Sequence, residues 1–190
     1  MTLPQIVLVR HGETAWSRSG QHTGRTDIPL TEKGEQDARA LSNRLAGRVF
    51  GQVLTSPLLR ARRTCELAGF GAVAELEPGL LEWDYGEYEG KKTAEIRALR
   101  PGWSPFEHGC PGGESLADIA ARAERLVGRL RSMDTDTLLF AHRDILRVVA
   151  ACWARLPPIE ARVLYMEPTS LSVLGYDHGR DEPILRSLNT

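Results

Sequence analysis

The stretch VLVRHGETAW, residues 7–16, begins as a buried strand and ends in charged and polar residues. With Ile6 in front of it, its apolar start has the composition of a strand that is covered on both faces. Arg10, His11 and Glu13 follow without a neutral turn. A charge at the end of a buried strand costs desolvation free energy unless a partner pairs with it. The stretch therefore predicts a strand whose end carries charged side chains that a site needs.

The rest of the chain alternates short apolar runs with longer segments whose apolar residues recur at helical spacing. Strands are predicted over 6–9, 53–56, 137–142, 171–176 and 184–188, and helices over 31–46, 57–67, 115–131 and 144–155. Alternation of this kind is typical of an α/β fold. We expect a three-layer sandwich with a mostly parallel central sheet and helices on both faces, formed by residues 1–190 as a single domain.

Local signals mark some of these boundaries. Ser115 and Asp118 form a predicted capping box at the start of the 115–131 helix. Pro57 is expected to open the 57–67 helix, since proline suits a first helical position. The Pro- and Gly-rich segment 100–114 is predicted to be an irregular loop of the kind that often serves as a lid.

Composition and charge exclude several classes of protein. The 190 residues are 42% apolar and 26% charged, as is ordinary for a soluble globular protein. A formal net charge of −1 provides no field for nucleic acid or an anionic membrane, so we expect neither as a partner. No run approaches the roughly 18 apolar residues that span a bilayer. The amino terminus also lacks the pattern of a signal peptide.

The cysteines indicate the cellular compartment. Cys65, Cys110 and Cys152 are an odd count, lie far apart and show no CxxC spacing. This pattern favours reduced thiols and a cytoplasmic location. The oligomeric state stays open, a homo-oligomer included.

Polar residues follow several of the predicted strands. His11 ends one strand and His142 another, and a parallel sheet brings such ends to one edge, where ligands bind in open α/β sheets. Arg60 falls in the first turn of the helix that Pro57 opens, and a helix amino terminus beside an arginine is a favourable place for an anion. A lone histidine is more often structural, but the coincidence of these groups predicts an anion site.

Six motifs in order carry a resemblance to a known family. They are RHGETAW, GQHTGRTDIPLTEKGEQDA, TSPLLRARRT, LLEWDYGEYEG, CPGGES and FAH. In order and spacing they resemble the histidine phosphatase superfamily, which includes the cofactor-dependent phosphoglycerate mutases. LEWDYGEYEG is most similar to a branch of small sugar-phosphate and acid phosphatases that includes sedoheptulose bisphosphatase. The resemblance covers residues from about 6 to 150.

The resemblance implies a phosphohistidine mechanism. His11 would attack a phosphoryl group through an unprotonated ring nitrogen, with the other nitrogen held by a hydrogen bond. Arg10 and Arg60 would each offer a fork of donors to the phosphoryl oxygens, and His142 would be protonated or donate a hydrogen bond there. No metal and no cofactor are expected.

The family also implies the binding residues around this cage. Ser17 stands where mutases usually have asparagine, and its hydroxyl can still donate. Thr23 and Gly24 would line the pocket beside it, and Tyr85 and Arg143 are further candidates. Arg25, Arg97 and Arg100 are additional candidates for specificity.

Glu82 corresponds to the family's general acid. It would give a proton to the leaving oxygen and then act as the base toward water. That double role needs a raised carboxyl pKa, which burial by Trp83, Leu80 and Leu81 would provide. Asp84 is the rival acid, because residues two apart in an extended segment face the same way.

One position departs from the family. Most members have glycine after the second histidine, where this chain has Arg143. Either this arginine reaches a second anionic group on the substrate, or it is a solvent-facing residue at a helix start.

Three functions share this set of residues. Hydrolysis of a small phosphorylated metabolite, such as a sugar phosphate, is favoured because the segment from Tyr85 to Gly112 is short and lacks the mutase insertion. Phosphoglycerate mutase-type transfer is the first alternative. A regulator that binds a phospho-ligand without turnover is the second, and the presence of His11, Glu82 and both arginines argues against it.

Overall fold

The computed structural model describes residues 3–190, which form one six-stranded sheet and the helices around it. In chain order the elements are β1 (Ile6–Arg10), α1 (Ala15–Ser19), α2 (Glu32–Leu45), β2 (Gln52–Thr55), α3 (Leu59–Leu67), β3 (Glu75–Leu76), α4 (Thr93–Leu99), α5 (Pro105–His108), α6 (Leu116–Arg131), β4 (Thr137–Ala141), α7 (Arg143–Trp153), β5 (Leu171–Tyr176) and β6 (Pro183–Ser187). Short 3₁₀ turns occupy Pro78–Leu80, Gly86–Tyr88 and Pro158–Val163.

The sheet has the strand order β3-β2-β4-β1-β5-β6. The first four strands in that order pair in parallel, whereas β5 runs antiparallel to both β1 and β6. The predicted mostly parallel sheet is therefore confirmed. The antiparallel β5–β6 pair follows from its short connection, because residues 177–182 join the two strands without a helix and the second strand must then run the other way.

Each face of the sheet is covered by helices. On one face Leu41 of α2 and Cys65 of α3 pack with Val7, Val9 and Phe140. On the other face residues of α6 and α7 pack with Ile6, Leu8 and Leu139 in a larger cluster that also takes in Trp83, Trp103 and Phe106. Alternate residues of β1 thus enter different cores, which explains why the whole strand is apolar. The predicted three layers are confirmed.

Several helix boundaries follow the local signals. Ser115 caps α6 with Asp118 as its capping-box partner, and Thr31 caps α2. The expected start at Pro57 is wrong, because Leu58 is the extended N-cap residue and α3 begins at Leu59. α7 starts at Arg143, one residue earlier than predicted, and ends at Trp153.

Four short elements were not predicted from the sequence, the first of them the five-residue helix α1. β3 has only two residues, both exposed, so no apolar run marks it. The short helix α4 directly precedes the Pro- and Gly-rich segment, and α5 lies inside the loop predicted over 100–114. Within residues 3–190 no helix combines the length and apolar character that crossing a membrane requires.

Candidate active site

The two predicted histidines are neighbours at the carboxyl edge of the sheet. Arg10 and Ala141 are paired across the parallel strands β1 and β4, so His11 and His142 are the next residues beyond that edge. The His11 amide donates to the carbonyl of Ala141 at 2.9 Å. The two ring centroids lie 5.1 Å apart. The juxtaposition expected from the sequence is therefore present.

His11 is held in a form suited to nucleophilic attack. Its Nδ1 lies 2.7 Å from the carbonyl oxygen of Gly12, an acceptor, so Nδ1 carries the proton and Nε2 has the free lone pair. Burial and the nearby cations of Arg60 and Arg10 lower the pKa of His11 well below its usual value. The imidazole is neutral at pH 7.

Gly12 is needed because two backbones meet beside His11. A Cβ at Gly12 would lie 2.5 Å from the carbonyl oxygen of Gly34 in α2. The Gly12 amide donates to Thr64 Oγ1 of α3 at 3.0 Å. The turn that orients His11 is therefore fixed between α2 and α3, and no larger residue fits there.

His142 is also neutral and is oriented by Arg60. The guanidinium Nε of Arg60 donates to His142 Nδ1 at 3.1 Å, so that nitrogen carries no proton. Nε2 then carries the proton and lies 2.8 Å from Ser56 Oγ. Burial, Arg60 and His11 lower the pKa of His142 well below its usual value. Of the two expected states, the neutral donor fits and the protonated imidazole does not.

Arg60 is fully buried and largely committed to the protein. Besides His142 it donates to the carbonyls of Thr26, Thr23 and Gly24. One Nη1 hydrogen is left without an acceptor in the described part of the chain. The fork expected from Arg60 is therefore reduced to one donor, and this arginine chiefly fixes the loop at 23–26 and the ring of His142.

Arg10 is the more available cation. Its Nη1 donates to the Met166 carbonyl at 2.7 Å, whereas its buried Nε has no hydrogen-bond partner within residues 3–190. Burial and Arg143 lower its pKa to about 10, so it keeps its charge at neutral pH. A buried donor without a partner is costly unless a ligand completes it.

Glu82 is buried against the amino terminus of α7. Its Oε1 accepts from the amides of Trp83 at 2.9 Å and Ile145 at 3.0 Å, and its Oε2 accepts from the amide of Asp144 at 3.2 Å. Burial and the negative charge of Asp144 raise its pKa, and the backbone donors oppose that shift only in part. A raised carboxyl pKa is what a general acid requires.

Asp84, the alternative acid, does not border the cleft above His11. Asp84 accepts from the amide of Gly86 at 2.9 Å, and its Oδ2 lies 3.7 Å from Arg25 Nε. Glu82 borders the cleft above His11, and Asp84 does not. The two carboxylates do not face the same way, because Glu82 turns to the α7 amides.

A cleft of about 100 Å³ opens above His11. Among the predicted site residues it is lined by Arg10, His11, Ser17, Thr23, Glu82, Tyr85 and Arg143. We call this space the catalytic cleft. Arg60 and His142 lie behind its wall. Gly24 does not line it either, contrary to expectation, because its backbone packs against Trp83 and its carbonyl serves Arg60.

Two of the lining side chains have structural hydrogen bonds as well. Ser17 closes the capping box of α1, where its hydroxyl accepts from the Thr14 amide at 2.9 Å. Tyr85 donates its hydroxyl proton to Asp144 Oδ2. Each hydroxyl is thus fixed in place at the cleft wall.

Asp144 was missed by the sequence reasoning. It is fully buried and accepts from Tyr85, Arg143 and Arg147. Burial alone would raise its pKa, but the Arg143 and Arg147 cations outweigh that and hold the pKa below its usual value. The one available signal was an acidic residue in the first turn of a helix, which is a common and therefore weak feature.

His22 was missed too. It is buried, with Nε2 3.1 Å from Thr93 Oγ1 and its ring 4.6 Å from that of Tyr85. Burial and the charge of Arg143 lower its pKa to about 4, so it is neutral. It lines the catalytic cleft next to Thr23.

The described residues contain one group of possible metal ligands. Asp177, His178 and Glu182, all exposed, have ligand atoms within 4.8 Å of one another in the turn between β5 and β6. None of the three lines the catalytic cleft.

Comparison with known proteins gives the same family as the sequence motifs. The model of the histidine phosphatase superfamily (branch 1) matches residues 6–189. An acid phosphatase of Mycobacterium tuberculosis is 40% identical over 184 residues, covering 92% of this chain and 88% of that protein. A sedoheptulose 1,7-bisphosphatase of Saccharomyces cerevisiae is 35% identical over 182 residues, covering 79% of this chain and 67% of that protein.

A solved structure supports the same fold. The structure of an open reading frame product from Mycobacterium tuberculosis has a TM-score of 0.93 to this chain at 38% identity, covering 98% of this chain and 97% of that one. The predicted resemblance and the predicted fold class are both confirmed. Because the family model spans nearly the whole sequence and the fold is shared over the same length, the chain belongs to branch 1 of the histidine phosphatase superfamily.

Proposed function

We propose that the chain hydrolyses phosphomonoesters of small metabolites, sugar phosphates among them, through a phosphohistidine on His11. The single observation that carries the proposal is the state of that imidazole. It is neutral, its Nδ1 is tied to the Gly12 carbonyl, and its Nε2 is free beside a cationic cleft. The acid phosphatase and the sugar bisphosphatase among the relatives support the same reaction class.

In the first step Nε2 of His11 attacks phosphorus and the bond to the ester oxygen breaks. Protonated Glu82 gives its proton to that oxygen, so the alcohol leaves neutral. Arg10 stabilises the charge that spreads over the phosphoryl oxygens, since its unpartnered Nε and its Nη2 are available as donors. His142, fixed by Arg60 and Ser56, holds the side of the cleft behind His11.

In the second step water attacks the phosphohistidine. Glu82, now ionised, takes a proton from the water as the new P–O bond forms and the P–N bond breaks. Inorganic phosphate leaves, His11 returns to its neutral form, and Glu82 is protonated again. The α7 amides that bind Glu82 stabilise its ionised state between the two steps.

The test is release of phosphate from p-nitrophenyl phosphate by the wild-type protein and by His11→Ala. We expect loss of nearly all turnover in His11→Ala, while His178→Ala, which removes an exposed histidine, keeps it. Equal rates in wild type and His11→Ala would end the proposal and favour a binding protein. Mutase-type transfer predicts phosphate on an added acceptor alcohol in place of free phosphate.

We also propose that the enzyme works in the cytoplasm. All three cysteines are free, and two of them are buried. Burial raises the pKa of Cys65 and Cys110 to about 12 and that of Cys152 to about 11, which disfavours the reactive thiolate form at neutral pH. Such thiols persist in a reducing compartment.

A further inference from the structure

A second cavity adjoins the catalytic cleft on the side of α4 and α5. Its volume is about 180 Å³, and it shares His22, Thr93 and Arg143 with the cleft. Its remaining wall includes Arg97, Arg147 and Arg162. We call it the arginine cavity, defined by Arg97, Arg143, Arg147 and Arg162.

Its cations outnumber its carboxylates. Asp144 is the acid inside the wall, and its oxygens are already occupied by Tyr85, Arg143 and Arg147. Glu107 lies at the outer end, 3.0 Å from Arg162 Nη1. Since His22 is neutral, it adds no charge. The cavity is therefore electropositive and offers few free acceptors.

The arginines differ in what they can still bind. Arg147 is used up, because its three nitrogens donate to the Ala161 carbonyl, Asp144 and the Arg162 carbonyl. Arg143 gives Nε and Nη2 to Asp144 but keeps Nη1 free of partners within residues 3–190. Asp144 thus holds Arg143 at one edge of its guanidinium and leaves the other edge toward the two cavities.

Arg97 is also anchored to the protein, but through one nitrogen. Its Nε donates to the Trp103 carbonyl at 2.9 Å, which fixes the side chain at the cavity wall. Its Nη1 and Nη2 have no acceptor in the described part of the chain. Arg97 is anchored at one nitrogen and Arg143 at two, and the donors that both keep open are suited to bind an oxyanion.

We infer that the arginine cavity is a second anion subsite, in which Arg143 and Arg97 bind a phosphate or carboxylate at the far end of the substrate while its phosphomonoester lies over His11. The substrate class is then a phosphomonoester with a second anionic group. This inference rests on the proposed hydrolysis for its catalytic readout. It explains why an arginine occupies the position of a bare glycine beside His142.

The test compares substrates in matched pairs. Fructose 1,6-bisphosphate against fructose 6-phosphate tests a second phosphate, and 3-phosphoglycerate against glycerol 3-phosphate tests a carboxylate. We expect at least one pair to show kcat/KM at least tenfold higher for the doubly anionic member, beyond the twofold allowed for two hydrolysable groups. The pair that responds identifies the anion.

Variants assign the effect to the cavity. Arg97→Gln should reduce the ratio of kcat/KM within the responding pair at least fivefold. Arg100→Gln is the matched control: it removes the same charge from the same helix end, is exposed and does not line the cavity, so the ratio should stay within twofold. Ratios near one in wild type for both pairs, or equal loss in the two variants, would overturn the subsite.

A binding measurement separates this inference from the proposed reaction. Calorimetric titration of the His11→Ala protein compares the two members of each pair without turnover. At least tenfold tighter binding of a doubly anionic member supports the subsite even if p-nitrophenyl phosphate is not hydrolysed. Equal affinities within both pairs refute the subsite, while hydrolysis of p-nitrophenyl phosphate that depends on His11 would still stand.

Discussion

The amino termini of α3 and α7 each bind a carboxylate from elsewhere in the chain, yet only one of these carboxylates borders the cleft. At α3 the exposed Asp27 accepts from the Leu59 amide at 2.7 Å. At α7 the buried Glu82 accepts from the amides of Asp144 and Ile145. The two carboxylates accept similar hydrogen bonds, so binding to a helix amino terminus does not by itself distinguish Glu82 from Asp27.

Burial and a neighbouring negative charge distinguish Glu82 from Asp27. Glu82 is 4% exposed and faces the ionised Asp144, and both effects oppose its negative charge. The amide donors at α7 favour that charge. The net result is a raised pKa of Glu82, which the proposed acid role requires. The sequence placed the anion site at the start of α3, but Asp27 already fills that position.

Between the two helix ends, the largest expected effect comes from removing the proton of Glu82. Glu82→Gln should lower turnover of alkyl phosphates about 10²- to 10³-fold, because an alkoxide then leaves without a proton. The loss on p-nitrophenyl phosphate should be smaller in the first step, since nitrophenolate leaves readily. Rapid-quench labelling should show a phosphoenzyme that accumulates, because the base for the second step is missing.

Asp27→Ala provides the matched control for Glu82→Gln. It removes a carboxylate from a helix amino terminus without touching the catalytic cleft, and its turnover should stay within twofold of wild type. If Asp27→Ala loses as much activity as Glu82→Gln, or if Glu82→Gln is fully active, the general-acid role is wrong.

The dependence of kcat/KM on pH should also show the role of Glu82. Below the lowered pKa of His11 the imidazole is protonated and cannot attack, and above the raised pKa of Glu82 the acid has lost its proton. We expect kcat/KM to be highest between these values and to fall about tenfold per pH unit on the alkaline side. In Glu82→Gln that alkaline decline should disappear. An unchanged alkaline decline would assign it to another group.

Asp144 is predicted to set the alkaline limb and to stabilise the fold. Asp144→Asn removes the charge that raises the pKa of Glu82 and leaves Arg143 and Arg147 unbalanced, so the limb should move to lower pH. The free energy of unfolding should fall by about 3 kcal/mol, at the low end for a broken buried ion pair because Arg143 is partly exposed. Urea denaturation measures the second effect.

A merely structural role for Asp144 predicts a different outcome. Stability would then fall while the alkaline limb, measured on the folded fraction, stayed where it is in wild type. Asp177→Asn removes an exposed acid from the β5–β6 turn and should change neither quantity.

The sequence predicted the parts of the site that lie close to a regular element. His11 and His142 each follow a strand in which every residue is buried, and strand pairing alone brings them together. The capping box of Ser115 was predictable for the same reason, since all its partners lie within three residues. Such features follow from the spacing of residues within an element and from the rule that parallel strands bring their carboxyl ends to one edge of the sheet.

The parts that were missed depend on contacts between distant segments. Asp144 meets Tyr85 across 59 positions of the chain, and Arg60 meets the carbonyls at 23–26 across more than 30. No periodicity encodes such pairs. The committed donors of Arg60, the turned-away Asp84 and the buried network at Asp144 are set by packing of these segments, which composition and spacing do not specify.

The smallest expected effect concerns Asp27 at the amino terminus of α3. Leu58 is the N-cap residue of α3 and has no side-chain cap, so Asp27 supplies that hydrogen bond from another loop. Asp27→Ala should lower the free energy of unfolding by about 1 kcal/mol, the usual cost of a lost cap. Urea denaturation should show this loss, whereas Asp181→Ala, at an exposed position of the β5–β6 turn, should show none. A loss of several kcal/mol would mean that Asp27 also holds the neighbouring Arg60 in place, and the two helix ends would then differ less than their exposure implies.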